Sequence, residues 1–202
     1  MPDIPPSFHL RVQLDSLRSA RREAEWVGQR LGAPALLGSA ATEAEVRRRL
    51  PSTPIAHFAT HGFAFTSDAD VRKSFVALAP DERDDGLLTV GEIIDSLPRL
   101  HAELVVLSAC ETGLGDVRQA EGTVGLPRAL LARGARSVIV SLWNVDDRAT
   151  ALLMQRFYVH WLDDADHPTK SRALERAQSD VRAVPRFASA RYWGAFQIVG
   201  AP

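Results

Sequence analysis

A histidine and the chain's single cysteine each stand at the end of an apolar segment. His61 follows the segment 54–60 and Cys110 follows the segment 104–109, and a glycine comes within three residues of each. An imidazole beside a thiol can lower the thiol pKa or take its proton, which makes the sulfur a nucleophile. The same imidazole can later protonate a leaving amine. The pair therefore predicts nucleophilic catalysis on an amide bond.

The residue after the histidine adds a second element of this chemistry. Gly62 has no side chain, so its backbone N–H can approach a substrate closely. Together with the N–H of Cys110 it could stabilise the oxyanion of a tetrahedral intermediate. In an open α/β sheet, ligands bind at the carboxyl ends of the strands. If the two segments are neighbouring strands, His61 and Cys110 lie side by side at that edge.

Each of these residues also has a simpler interpretation. A lone cysteine at the end of a strand is commonly a small buried hydrophobic residue, and a lone histidine is commonly a surface or hydrogen-bonded residue. His57 and His61 lie four apart on one strand, about 13 Å from each other, which is too far to share one metal ion. We expect no metal and no cofactor. We interpret His57 as a core residue or as one that contacts the catalytic residues without touching the substrate.

Strands and helices alternate along the rest of the chain. Helical spacing of apolar residues, N-capping residues and terminal glycines predict helices at 19–31, 42–50, 89–96, 124–133 and 169–183, and an apolar stripe from Ala151 to Trp161 predicts one more. Both Thr42 with Glu45 and Thr89 with Glu92 match the capping box. Apolar runs predict strands at 54–60, 75–78, 104–109, 136–143 and, at an edge, 196–199. This order predicts an α/β fold with a mostly parallel sheet covered by helices on both faces, in three layers α/β/α.

Composition narrows the class of protein. The chain has 202 residues, a formal net charge of −1 and 46% hydrophobic residues, which is typical of one globular domain. The lack of a basic excess argues against nucleic acid as a partner. One cysteine excludes an intrachain disulfide. Without a signal-peptide pattern or an apolar run of about 20 residues, we expect a cytoplasmic protein with no membrane partner.

Five motifs occur in order along the chain: His57–Gly62, Asp85–Ile93, Leu104–Gly113, Gly134–Asp147 and Tyr192–Phe196. Together they resemble the CHAT domain, a caspase-like domain named for its association with tetratricopeptide repeats in bacterial proteins. The resemblance runs from about residue 19 to 200, so we expect a caspase-like domain at 19–202 preceded by a tail or residual edge strand at 1–18. The resemblance implies a caspase-like sheet and a cysteine endopeptidase of the caspase and separase clan.

The resemblance assigns a role to each matching position. It implies that His61 is the catalytic base, Cys110 the nucleophile and Gly62 an oxyanion donor. The 49 positions between histidine and cysteine (110 − 61) are close to the roughly 50 of caspases. The segment that lines the substrate pocket corresponds to Trp143, Asn144, Asp146 and Asp147. Asp147 stands where separase-like relatives place an acid for a basic P1 residue. Either aspartate could instead, or in addition, be the N-cap or a first-turn acid of the following helix.

The departures from caspases leave a second function open. Ser108 replaces the caspase glutamine, so specificity for aspartate is not expected. We predict a protein or peptide substrate, possible cleavage after a basic residue, and activation by a helical-repeat partner or sensor region. The alternative is a non-catalytic caspase-like scaffold or signalling module. The polar stretches 68–85 and 111–122 are candidates for mobile segments beside the site.

Overall fold

A computed structural model describes residues 18–65, 70–108, 110–111 and 125–202. The predicted tail at 1–18 lies outside these residues except for its last position, as does nearly all of the loop predicted at 111–122. The helices are α1 Arg18–Arg30, α2 Glu43–Arg49, α3 Val90–Ser96, α4 Gly125–Ala132, α5 Asp147–Asp163 and α6 Lys170–Ala183. The strands are β1 Ile55–Phe58, β2 His61–Phe63, β3 Phe75–Ala77, β4 Leu87–Thr89, β5 Leu104–Leu107, β6 Cys110–Glu111, β7 Ser137–Ser141 and β8 Phe196–Gly200.

The main sheet has the strand order β1-β5-β7-β8. The pairs β1–β5 and β5–β7 are parallel, and β8 runs antiparallel to β7 at one end of the sheet. The strands of the parallel part are short and almost wholly apolar, as expected of a sheet covered on both faces. The predicted α/β class, the mostly parallel sheet and the last edge strand are confirmed.

Alternate residues of the central strand face two separate cores. Val105 and Leu107 pack with α2, α3 and α4 on one face. Leu104 and Val106 pack with α1, α5 and α6 on the other. Successive side chains of a strand point to opposite faces, so four consecutive apolar residues serve both helical layers. The architecture is therefore helix, sheet, helix.

A second, smaller sheet with the order β4-β3-β2-β6 stands beyond the carboxyl ends of β1 and β5. The strand predicted at 54–60 ends earlier, at Phe58, and the chain enters this second sheet at His61. β4 was not predicted as a strand. A three-residue strand is too short to show an alternating pattern, and the acidic turn before it resembles a loop.

The two predicted capping boxes differ in the structure. At α3, the Thr89 hydroxyl accepts from the Glu92 N–H while the Glu92 carboxylate accepts from the Thr89 N–H, so this box is complete. At α2, Thr42 accepts from the N–H of Glu45. The Glu45 carboxylate, however, pairs with Arg48 and Arg49 rather than returning to the cap. The predicted second half of that box is wrong.

No helix in the described ranges is long and apolar enough to cross a bilayer.

Candidate active site

The backbone brings the predicted histidine and cysteine positions together. Phe58 and Leu107 are the last paired residues of the parallel strands β1 and β5. Three residues further along each chain segment, His61 and Cys110 are again partners, now between the parallel strands β2 and β6. The register is thus the same before and after the chain passes from one sheet to the other. Neighbouring strands lie about 4.8 Å apart, so the two backbones are adjacent at these residues.

A hydrogen bond fixes the short segment between β1 and β2. The Thr60 hydroxyl donates to the carbonyl oxygen of Ala77 at 2.7 Å, which ties the segment to β3. His61 then lies on β2, between β3 and β6, and is half-buried. Gly62 is buried and pairs with Val76 on one side and with Glu111 on the other. These contacts hold the backbone of the predicted base and oxyanion donor on both sides.

The predicted substrate segment follows β7 at the same edge of the main sheet. Because β1, β5 and β7 run parallel, their carboxyl ends lie together. Trp143 is half-buried, and its indole N–H donates to the carbonyl oxygen of Arg191 at 3.0 Å. Asn144 is exposed. The structure therefore places this segment at the edge where β1 and β5 also end, with an indole held by the chain and an amide open to solvent.

The two aspartates of this segment both make contacts to helix N-termini. One Asp146 carboxylate oxygen accepts from the N–H groups of Arg148 and Ala149, which makes Asp146 the N-cap of α5. Asp147 is half-buried, and its Oδ2 accepts from the backbone N–H of Ser19, in the first turn of α1, at 2.9 Å. A carboxylate stabilises the positive end of a helix dipole. Asp146 thus is the N-cap of the following helix, whereas Asp147 lies in the first turn of that helix and links α5 to α1.

His57 is part of a buried hydrogen-bonded network. Its Nε2 lies 2.7 Å from a carboxylate oxygen of Glu23 on α1, and its Nδ1 lies 3.1 Å from the hydroxyl of Tyr158 on α5. Glu23 is 1% exposed and Tyr158 is wholly buried. Burial first, and the Glu23 carboxylate second, raise the pKa of Tyr158 well above its ordinary value. The phenol therefore keeps its proton and can donate it in a hydrogen bond to Nδ1.

Sequence reasoning placed His57 in the core but missed both of its partners. A buried polar side chain needs a hydrogen-bond partner, so a core position for His57 implies that it has one. Glu23 carried a usable signal, because it falls at helical spacing between Ala20 and Val27, on the apolar face of α1. Tyr158 is 101 positions from His57, and its place among the apolar residues of α5 gave no sign of a polar role.

The fold is an α/β fold of the caspase-like type, with a histidine and a cysteine in register beyond the carboxyl ends of two parallel strands. Residues 6–201 match the CHAT domain family. The chain belongs to this family, which is of the caspase-like peptidase type.

Two similar curated proteins agree with this assignment. The chain is 29% identical, over an alignment of 230 residues, to "Tetratricopeptide repeat protein 28" of Mus musculus and to that of Homo sapiens. Each alignment covers 98% of this chain and 9% of the relative. The chain thus spans about a tenth of the length of these relatives, and their names place a CHAT-like segment in proteins that also carry tetratricopeptide repeats.

Proposed function

We propose that this domain is a cysteine endopeptidase that cleaves a polypeptide with His61 and Cys110. The observation that carries this proposal is their pairing across the parallel strands β2 and β6. The proposal also rests on the family type, because CHAT domains are peptidase-related.

The chemistry needs four groups. His61 takes the proton of the Cys110 thiol, and the thiolate attacks the carbonyl carbon of the scissile amide. The N–H groups of Gly62 and Cys110 donate to the oxyanion of the tetrahedral intermediate. The C–N bond then breaks, the imidazolium protonates the leaving amine, and a thioester remains. Water, deprotonated by His61, hydrolyses the thioester and restores the thiol.

We further propose a preference for a basic residue before the scissile bond. Asp146 and Asp147 follow β7 at the edge where His61 lies, and Asn144 and Trp143 complete the segment. A carboxylate binds a guanidinium or ammonium group through charge-assisted hydrogen bonds. One oxygen of Asp147 accepts from Ser19, which holds the carboxylate in place and leaves its other oxygen for such a contact.

The first test measures cleavage of fluorogenic peptides that carry Arg, Lys or Asp before the leaving group. We expect turnover of the Arg and Lys peptides by the wild type and none by Cys110→Ala. Equal turnover by both proteins refutes the proposal. Asp147→Asn separates specificity from catalysis, because it should lower kcat/KM for the basic peptides by tenfold or more while the rate at which iodoacetamide alkylates Cys110 is unaffected.

The second test measures assembly of the pair without a substrate. Iodoacetamide should alkylate Cys110 faster in the wild type than in His61→Ala at neutral pH, because the imidazole promotes the thiolate. His101→Ala is the matched control, since His101 is exposed on the connection before β5 and should leave the rate unchanged. The same rate in all three proteins means that the pair does not act together.

A non-catalytic scaffold is the second candidate. Within the described residues β1 is the outer strand of the main sheet, and an open strand edge can pair with another chain. This function is favoured if Cys110→Ala retains every partner interaction and every cellular effect of the wild type.

We propose that a helical-repeat region or protein regulates the site in the cytoplasm. The similarity to proteins named for tetratricopeptide repeats supports this. Comparison of the domain alone with the domain joined to its natural flanking sequence tests it, and equal turnover by both forms argues against such control.

A further inference from the structure

The last 22 residues of the chain carry positive charge without compensation. Residues 181–202 contain three arginines and no aspartate or glutamate. All three, Arg182, Arg186 and Arg191, are exposed. Within the described residues none of them forms an ion pair with a carboxylate, whereas most other arginines of the described helices do. These side chains therefore have guanidinium groups free to bind an anion.

Aromatic rings support each guanidinium. Arg182 lies 5.8 Å from the centre of the Trp193 ring, Arg186 lies 4.4 Å from that of Phe187, and Arg191 lies 5.0 Å from that of Tyr192. The Phe187 and Tyr192 rings are themselves 5.3 Å apart. We call this set the arginine patch: Arg182, Arg186, Arg191, Phe187, Tyr192 and Trp193.

Stacking on a ring restricts a guanidinium without using its hydrogen-bond donors. The cation interacts with the ring through its flat face, and the five N–H groups lie in the plane of the guanidinium. A guanidinium that lies over a ring can therefore keep its N–H groups available to a carboxylate. Part of the side-chain entropy that binding would otherwise cost has already been lost. The arginine patch is thus better prepared for carboxylates than three unsupported surface arginines.

The arginine patch is attached to the candidate substrate segment. The indole of Trp143 donates to the carbonyl oxygen of Arg191. One residue earlier, the N–H of Leu142 donates to the carbonyl oxygen of Ala195 at 2.9 Å. Gln178 on α6 donates to the carbonyl oxygen of Trp193 at 3.2 Å. These bonds hold the arginine patch beside the segment that follows β7.

We infer that the arginine patch binds an acidic segment of the polypeptide substrate, away from the bond that is cut. The inference rests on the proposed function and adds a substrate class to it: polypeptides with a cluster of Asp or Glu near a cleavable site. The contact with Trp143 favours a peptide that continues out of the active site. A nucleic acid is disfavoured by the net charge of −1, since such binding normally needs a broad basic surface.

Binding is measured on the whole chain with Cys110→Ala, so that no result depends on cleavage. The probes are a fluorescein-labelled twelve-residue peptide rich in Glu and Asp, the same peptide with Gln and Asn, and a twelve-nucleotide single-stranded RNA. The patch variant is R182Q/R186Q/R191Q. The control variant is R22Q/R99Q/R128Q, which removes the same charge from three exposed arginines that, in the described part of the chain, form no ion pair.

The expected result is binding of the acidic peptide alone, with affinity reduced about tenfold in the patch variant and unchanged in the control variant. Affinity should also fall as salt is added. Equal loss in both triple variants overturns the inference, because net charge then explains the binding. Tighter binding of the RNA, lost in the patch variant, overturns it in favour of a nucleic acid. Circular dichroism verifies folding. If the triple variant does not fold, Arg186→Gln alone takes its place in the measurement, because this residue lies on a short 3₁₀ turn.

The protein with Cys110 intact separates this inference from the proposed function. If the protein binds the acidic peptide but cleaves no peptide, the proposed peptidase function is wrong and the arginine patch remains a binding surface. If the protein cleaves a basic peptide and attachment of an acidic segment does not increase this cleavage, the proposed role of the arginine patch is wrong and the peptidase function stands.

Discussion

Tyr158 closes one end of the buried network that includes Glu23 and His57. Its hydroxyl is the partner of His57 Nδ1 at 3.1 Å, and Tyr158 is wholly buried. Tyr158→Phe removes only this oxygen, which leaves a buried ring nitrogen without a partner. We expect the free energy of unfolding to fall by about 1–3 kcal/mol, as measured by urea denaturation.

The other tyrosine supplies a matched control. Tyr192 has a partly exposed ring next to Arg191, so Tyr192→Phe should change stability by less than about 0.5 kcal/mol. If the two substitutions have equal effects, the hydrogen bond to His57 contributes nothing specific.

Glu43 should make the protein less stable as pH rises, which is the opposite of the usual effect of a carboxyl group. It is 1% exposed, and burial followed by the Glu92 carboxylate raises its pKa from 4.5 to about 6. A raised pKa means that folding favours the protonated form, so this group's contribution is complete below pH 4.5 and is lost as pH rises through 6. The loss between pH 4 and 8 is about 2 kcal/mol.

Glu43→Gln should remove that dependence. The stability of the variant relative to the wild type should rise by about 2 kcal/mol from pH 4 to pH 8, measured by urea denaturation at each pH. Glu45→Gln is the control of opposite sign, because hydrogen bonds from Arg48 and Arg49 lower the pKa of Glu45 to about 2. Its relative stability should fall as pH rises from about 2 to 4.5 and change little above that, so a rise from pH 4 to pH 8 in both variants is inconsistent with the assigned pKa directions.

At the scale of elements, the start of α5 combines a structural role with a proposed one. Asp146 caps this helix through two backbone N–H groups, and Asn is about as good an N-cap as Asp. Asp146→Ala should therefore cost about 1 kcal/mol of stability, whereas Asp146→Asn should cost little. Thermal unfolding measures this difference.

Peptide turnover then separates the two roles of Asp146. If it only caps α5, Asp146→Asn keeps the wild-type kcat/KM for Arg and Lys peptides. If its charge also binds the basic residue, Asp146→Asn loses kcat/KM for those peptides although it retains stability. Loss of stability in the Asn variant contradicts the capping role.

The sequence predicted the longer elements well because their signals are local. α1, α5 and α6 follow from helical spacing and end residues, and β5 and β7 follow from apolar runs. The sequence did not predict β4 or the second sheet, because three-residue strands depend on partners distant in the chain. The missing contact from the Glu45 carboxylate to the Thr42 N–H has a different, local cause, because Arg48 and Arg49, three and four positions further along, compete for this carboxylate.

For the candidate site, the sequence predicted that His61 and Cys110 lie side by side but not what surrounds them. The parallel register that pairs His61 with Cys110 was expected if the two strands were neighbours. The contacts of His57 with Glu23 and of Asp147 with Ser19 span 34 and 128 positions. No periodic pattern specifies such contacts, since they depend on how α1 packs across the sheet. The catalytic roles themselves stay predictions.

At the scale of the whole molecule, the sheet separates two cores that should respond independently to substitution. Val105 faces the core with α2, α3 and α4, and Val106 faces the core with α1, α5 and α6. Val138 is the register partner of Val105 and lies in the same core. All three residues are fully buried. Truncation of each to alanine should cost about 1–3 kcal/mol through lost burial and the cavity that remains.

A double-mutant cycle distinguishes residues that share a core from residues that do not. Val105→Ala with Val138→Ala should deviate from additivity by more than about 0.5 kcal/mol, because one enlarged cavity relaxes differently from two separate ones. Val105→Ala with Val106→Ala should be additive within that limit, although these residues are adjacent in sequence, because the sheet lies between their side chains. Urea denaturation of the five variants measures both cycles. Strong coupling between Val105 and Val106 would mean that the two helical layers do not form separate cores, since adjacency along a rigid strand does not by itself join two cavities.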